Sequence, residues 1–305
     1  TTSETYGFIT LESPETHDQI STFQLPEAKG VLQYRMFSLP IYPENPDPQA
    51  VLGDDLGSYN PAAWRLFRYN PSTKQYNEYP HIPFFAPGLG YWIIVKAGGF
   101  IDVRGRAADT SQPFIINLEP GWNQIGNPFK FLVDWGKVKV RHGSTEVLLS
   151  DPANTWVDNA LWEYQDVGDN EAEYELEDEL IPWHGYWIYN RSPEPVALII
   201  PNKTVIETGA ATATVKVKAR QAMSSPQNWH LKIGATQGSF GDSYNFLGVA
   251  EGASLYRDAQ DLSEPPPILS EQVRLYFIHL EGEEDSHQYA TDYRPPTPSE
   301  GVYEF

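Results

Sequence analysis

Asp242, Asn245, Asp258, Asp261 and Glu264 place five oxygen-bearing side chains within 23 residues. A hard cation such as Ca2+ takes six to eight oxygens from carboxylates, amides and carbonyls. The five do not follow the spacing of the helix–loop–helix calcium loop. The same residue types also make Asx turns and strand caps. Calcium is the one cofactor these residues suggest.

A second chemistry is sugar stacking. The apolar face of a sugar ring packs on an aromatic face, while acids and amides bond its hydroxyls. Trp183, Trp156, Trp135 and Trp229 are the candidates. Trp183 is foremost, because Pro182 before it and His184 after it place it in a turn, where exposure is expected.

Other chemistries find little support. No Gly-x-Ser-x-Gly elbow occurs, and the seven His are scattered. None forms a His-x-x-x-His pair. His279 and His287 flank an acidic turn and could face each other on a hairpin; surface histidines are the plainer reading. With 41 acids, some pair falls at glycosidase spacing by chance, and the sequence singles out none. Pro87-Gly88-Leu89-Gly90 lacks the following helix and Lys of a phosphate loop. The chain has no Cys, so disulfides and thiolate sites are excluded. The expectation is a protein that is not an enzyme.

These residues must be positioned by strands. A duplication organises the middle of the chain. The first copy runs from Tyr34-Arg35-Met36-Phe37-Ser38-Leu39-Pro40 through Trp64-Arg65-Leu66-Phe67-Arg68-Tyr69 to Pro87-Gly88-Leu89-Gly90-Tyr91-Trp92-Ile93. The second runs from Gly121-Trp122-Asn123-Gln124-Ile125-Gly126-Asn127-Pro128 through Leu161-Trp162-Glu163-Tyr164 to Pro182-Trp183-His184-Gly185-Tyr186-Trp187-Ile188. The Gly-Tyr-Trp triplets lie 95 residues apart, and Pro40 and Pro128 lie 88 apart. A period near 90 is too long for a solenoid and suits a small β-domain. Trp64, Trp92, Trp162 and Trp187 are expected at matched core positions. Glu171–Glu177 alternates acids with Ala, Tyr and Leu, the pattern of a charged edge strand.

The expected units are 31–112 and 113–201. Residues 1–30 form an extension that adds a strand to one of the sheets or reaches a neighbour; Phe8, Ile9, Thr10 and Leu11 are its strand. Residues 202–221 form a linker strand, from the Ala/Val and Thr/Lys alternation of Ala211–Lys218. A third unit spans 222–305, with strands at Trp229–Ile233 and Val273–Ile278. The fold class is all-β: two related sandwich or barrel-like units and an Ig-like sandwich, incomplete by strand count.

Composition sets bounds. The 305 residues carry a formal charge of −20, which argues against nucleic acid and anionic lipid as partners. Aromatics make 13%, too many for a disordered acidic chain. Gly 23 and Pro 26 imply many turns and few long helices. No apolar run reaches the roughly 18 residues of a membrane span. The opening Thr1-Thr2-Ser3 is no signal peptide. It fits a cytoplasmic protein without its initiator Met, a processed secreted protein or an excised fragment.

The segments Gly121–Phe129 with Pro182-x-x-Gly-Tyr-Trp, and Val51-Leu52-Gly53-Asp54-Asp55-Leu56-Gly57 with Trp64–Phe67, resemble modules found near the C-terminus of large secreted or surface-attached bacterial proteins. Such modules neighbour Ig-like domains. Asp242, Asn245, Leu247-Gly248-Val249, Asp258, Asp261, Glu264-Pro265-Pro266 and Ala290-Thr291-Asp292 resemble the region C-terminal to such modules. The likeness covers about residues 31–305. It implies an extracellular or cell-surface, non-catalytic context and brings no catalytic residues. The expected function is a structural or adhesive module, a self-assembling subunit of an appendage or matrix. The alternative is a carbohydrate-binding module. Expected partners are copies of itself, other surface-protein domains, or polysaccharide.

Overall fold

The computed structural model describes residues 19–25, 34–168, 171–203, 228–238, 240–269, 273–278 and 287–296. The chain is mostly β, in several antiparallel sheets, with one α-helix among the described residues.

Unit 1 contains β1 (Gln19–Leu25), β2 (Arg35–Ser38), β3 (Ile41–Pro43), α1 (Pro48–Leu56), β4 (Trp64–Asn70), β5 (Gln75–Glu78), β6 (Gly90–Val95) and β7 (Gly99–Ala107). Unit 2 contains β8 (Phe114–Leu118), β9 (Gly121–Gly126), β10 (Val133–Asp134), β11 (Lys139–His142), β12 (Thr145–Leu148), β13 (Leu161–Gly168), β14 (Glu171–Glu177), β15 (Glu179–Leu180), β16 (Gly185–Asn190) and β17 (Val196–Ile200). The C-terminal region adds β18 (Trp229–Gln237), β19 (Phe240–Val249), β20 (Phe277–Ile278), β21 (Gln288–Tyr289) and β22 (Thr291–Arg294).

The duplication is a duplication of topology. Unit 1 has a main sheet β2-β6-β4-β5 and a second sheet β1-β7-β3. Unit 2 has β9-β16-β13-β14 and β8-β17-β11-β12, the same orders with β12 added as a fourth strand of the second sheet. β1 is therefore the counterpart of β8 and an integral strand of unit 1, paired with β7 from Gln19↔Gly105 to Leu25↔Gly99. The N-terminal strand lies at 19–25; Phe8, Ile9, Thr10 and Leu11 fall outside the described residues, as do residues 204–227 of the expected linker strand.

Register corrects one pairing of tryptophans. Phe67 faces Trp92 across β4 and β6, and Trp162 faces Trp187 across β13 and β16. Trp162 thus corresponds to Phe67, not to Trp64. All four tryptophans are buried.

The Gly-Tyr-Trp-Ile runs lack a polar face because both faces of the main sheets are covered. Tyr91, Ile93, Trp64 and Leu66 point into the core of unit 1. Tyr186 and Ile188 do the same in unit 2. Trp92, Trp187, Phe67 and Trp162 point the other way, into one aromatic cluster shared by both units. The second sheets are one-sided: along β7, Ile101 and Val103 are buried while Phe100, Asp102, Arg104 and Arg106 are exposed.

The two units meet across a pseudo-two-fold axis. Ser38 N donates to Trp183 O at 2.8 Å, and the equivalent Gly126 N donates to Gly88 O at 3.1 Å. The bridges Phe37↔His184 and Ile125↔Leu89 are equivalent in the same sense. Ser38 Oγ also donates to His184 O at 2.6 Å.

In unit 1, Asp47 caps α1, its Oδ1 accepting from Gln49 N at 2.8 Å, and Pro48 opens the first turn. Val51 and Leu52 bury the helix against the unit's core. In the C-terminal region β18 and β19 form a hairpin around Gly238, whose φ is 63°. β22 joins β19 in parallel, and β20 pairs with β21. No helix among the described residues is long and apolar enough to cross a membrane.

Candidate functional site

The shared aromatic face is built by both copies together. Tyr34, Phe67, Tyr69 and Trp92 come from unit 1, and Trp162, Tyr164 and Trp187 from unit 2. Edge-to-face contacts tie them: Trp92–Tyr164 at 5.4 Å and Tyr69–Trp187 at 5.0 Å both cross between the units. Such pairs add about 0.5–1.5 kcal/mol each beyond burial.

A bare face of this kind would be a large exposed apolar patch. Residues 262–269 of the C-terminal region cover it. Proline fixes φ, and a residue before proline is held extended. Glu264-Pro265-Pro266-Pro267 is therefore a pre-set extended strap whose carbonyls have no helical or ladder partner. The cradle supplies donors to them. Tyr76 Oη donates to Pro267 O at 2.8 Å and Tyr174 Oη to Pro266 O at 2.9 Å. Trp187 Nε1 in turn donates to Tyr174 Oη at 3.2 Å. Arg274 Nη2 holds Pro265 O at 2.9 Å. Ile268 is buried in the cluster, with Leu262 and Leu269 packed beside it. This is the chemistry by which aromatic grooves hold proline-rich peptides, here within one chain. Each hydrogen bond is worth about 1 kcal/mol net. Burying one Ile side chain is worth about 1.5–3 kcal/mol, so apolar contact carries the docking and the hydroxyls fix its register.

Beside the strap lies a buried charge cluster. Asp158 of unit 2, 3% exposed, pairs with Arg191 Nε at 2.9 Å. Burial raises its pKa, while Arg191 and Arg257 of the C-terminal region pull it back down. The Arg257 guanidinium sits over Tyr189 at 5.2 Å and over Tyr289 at 5.5 Å. The ion set and its aromatic walls come from both sides of the junction.

Ser263 Oγ lies 3.3 Å from His287 Nε2, the reach of a hydroxyl and a base. Ser263 is fully buried, and Arg257 donates to the same oxygen at 3.2 Å. The hydroxyl is a link in the junction, with no approach for a substrate. His279, the partner suggested for His287 by sequence, lies outside the described residues.

The five calcium candidates separate into two sets; the four acids have partners, and Asn245 Oδ1 is buried with no hydrogen-bond partner among the described residues. Asp258 accepts from Ser254 N at 2.6 Å and Gln260 N at 2.7 Å. Asp261 accepts from Asp258 N and Tyr293 N, both at 3.0 Å. Asp242 accepts from Asn245 Nδ2 at 2.6 Å and Leu275 N at 2.7 Å. Glu264 faces Arg274 at 3.5 Å. Among the described residues no three His, Asp or Glu converge to hold a metal. The acids hold the long loop through N–H groups of its own, from Ser254, Asp258 and Gln260, and tie it to Leu275 and Tyr293. A ligand that binds the native state alone must stabilise it. EDTA, or millimolar Ca2+, is accordingly expected to move the melting temperature by less than about 1 °C; calorimetry checks this.

Two of these acids are strongly desolvated. Burial pushes Asp261 up to about 7 and Glu264 up to about 8, the latter helped by Asp242 and opposed by Arg274. Both folded values lie above the unfolded ones, so the folded state holds extra protons between about pH 4 and 8. The associated stability is complete at the acid end and is lost as pH rises through 7 and 8. The junction is expected to melt about 5 °C or more lower at pH 8.5 than at pH 5. Glu264→Gln flattens that slope in a thermal titration followed by tryptophan fluorescence.

The tryptophans correct the sugar-stacking expectation. Trp183 is 4% exposed. Its φ of 75° turns the side chain into unit 1, where it stacks on Phe23 at 5.5 Å and donates to Ser21 Oγ at 3.1 Å. Trp135 is buried in a one-turn 3-10 helix capped by Asp134. Trp156 is half-buried against His142 at 5.2 Å. Trp229 remains exposed at 37%, on another unit from Trp156. The four form no common platform.

Sequence reasoning singled out the matched aromatics as core but missed that they face a common cradle. It also missed the strap, although Pro265-Pro266-Pro267 was the available signal. Comparison of the chain with protein-family models, with curated proteins and with solved structures returns no match.

Proposed function

We propose that the chain is a non-catalytic structural module of the extracellular space or cell surface, a building block that joins to copies of itself or to other surface-protein domains. The observation that carries this reading is the cradle. The aromatic face built by the two repeats holds another unit of the same chain, and polar groups around it serve the junction. Tyr76, Tyr174, Asp158 and Arg257 all serve that contact. The likeness of the Gly-Trp-Asn and Gly-Tyr-Trp segments to modules of secreted bacterial proteins supports the location.

Electron microscopy of the purified chain over a range of concentrations tests the reading. Ordered filaments or sheets are the expected result. Monodisperse particles that bind a polysaccharide would overturn it in favour of a carbohydrate-binding module, for which exposed Trp229 is the remaining contact.

A further inference from the structure

We infer that the cradle is a joint between copies: the C-terminal unit of one chain docks on the tandem of a second copy, strap in cradle, as it does on its own. The inference rests on the structural-module reading and names its partner as a second copy of this chain.

Three observations lead there. First, the strap and the units it grips are separate in the chain. Unit 2 ends with β17 at Ile200, and β18 starts at Trp229. The 24 residues numbered 204–227 between them lie outside the described residues. Extended, that length reaches about 80 Å. Second, the cradle reads features that every copy presents alike. Tyr76 and Tyr174 bond backbone carbonyls, the cluster takes Ile268, and Tyr244 meets Trp162 edge-to-face at 4.9 Å. Exchange therefore trades one set of contacts for an identical set. Third, a cradle without a strap exposes Trp92, Trp162 and Trp187, which water disfavours. A chain whose own unit is displaced must recruit another.

The balance between own and neighbouring unit is then a matter of effective concentration, which the covalent connection sets for the own unit and the protein concentration for the neighbour's. Dilute chains close on themselves. Chains crowded in a layer exchange, and each exchange passes the next free unit onward.

The test uses two variants of the full chain. One has a broken cradle, Tyr76→Ala with Tyr174→Ala, and an intact strap. The other has an intact cradle and a broken strap, Pro266→Gly with Ile268→Asp. Each alone is expected to sediment as a monomer. Mixed at about 100 μM, they are expected to give a one-to-one complex, because one supplies the cradle and the other the strap. Two monomers in the mixture, with near-ultraviolet circular dichroism showing both tandems folded, overturn the joint. Should the cradle variant unfold, wild-type chains carrying separate donor and acceptor dyes replace it. Held together at about 1 mM and then diluted, they are expected to show energy transfer that decays as chains return to closed monomers. No transfer overturns the inference. Filaments seen without any mixed complex would remove this joint while leaving the structural-module reading in place.

Discussion

Gly90→Ala and Gly185→Ala are each expected to pull the tandem apart. A Cβ on Gly90 would overlap the Ile125 carbonyl of the other unit. A Cβ on Gly185 would fall 2.8 Å from Phe37 N and 2.9 Å from Phe37 O. The obstacle in both cases is backbone, which cannot rotate away as a side chain can. Overpacking a rigid site costs about 1–3 kcal/mol. Here the displacement also breaks the hydrogen bonds Ser38–Trp183 or Gly126–Gly88. The expected loss is about 3 kcal/mol or more per substitution, or about 6–12 °C in melting temperature. Gly99→Ala is the control. It has no neighbour within 4 Å and no left-handed φ, so its stability should stay within about 0.5 kcal/mol of wild type. Equal behaviour of Gly90→Ala and Gly99→Ala in urea titrations would remove the close seam as the reason for the repeated Gly-Tyr-Trp motif.

Asp158→Ala is expected to release the C-terminal unit and leave the tandem folded. The substitution strips the anion from between Arg191 and Arg257 and leaves those guanidinium groups without their buried counter-charge. Breaking a buried pair from one side costs about 3–5 kcal/mol. An exposed pair offers the contrast. Arg65 and Glu78 meet at 2.7 Å with side chains 38% and 30% exposed, and Glu78→Gln should cost no more than about 1 kcal/mol. The readout for Asp158→Ala is two melting steps in calorimetry, the lower one belonging to the undocked C-terminal unit. A single step at the wild-type temperature would mean that the junction does not depend on the ion set.

The tandem was legible because its signal is local and occurs twice. Gly-Tyr-Trp-Ile fixes β6 and β16, and the offset of Pro40 from Pro128 fixes β2 and β9. The acidic alternation of Glu171–Glu177 marked β14 as a strand that the topology places at a sheet edge. The errors arise where a residue serves a distant partner. Trp183 stands among turn formers and so looks exposed, yet its left-handed backbone delivers the ring to Phe23 and Phe37, far away in sequence. Its counterpart Gly88 has φ 81°, and placing the two at one position was the clue available. The acids from Asp242 to Glu264 carry the ligand inventory of a cation site. Composition does not reveal that backbone N–H groups from Gln260, Leu275 and Tyr293 donate to three of them. Gln19–Leu25 is less apolar than Phe8–Leu11, although its Leu25 is buried against unit 1's core.

Equivalent residues trade equivalent bonds across the seam, so the tandem has the form of a two-fold dimer written into one polypeptide. A dimer of separate subunits falls apart when it is dispersed, because its stability carries a mass-action penalty. This one does not. Ser38 and Trp183, like Gly126 and Gly88, remain within one molecule however few molecules there are. A protein released into open fluid would keep its paired core down to the last copy, and only the contacts it makes with other chains would feel the thinning.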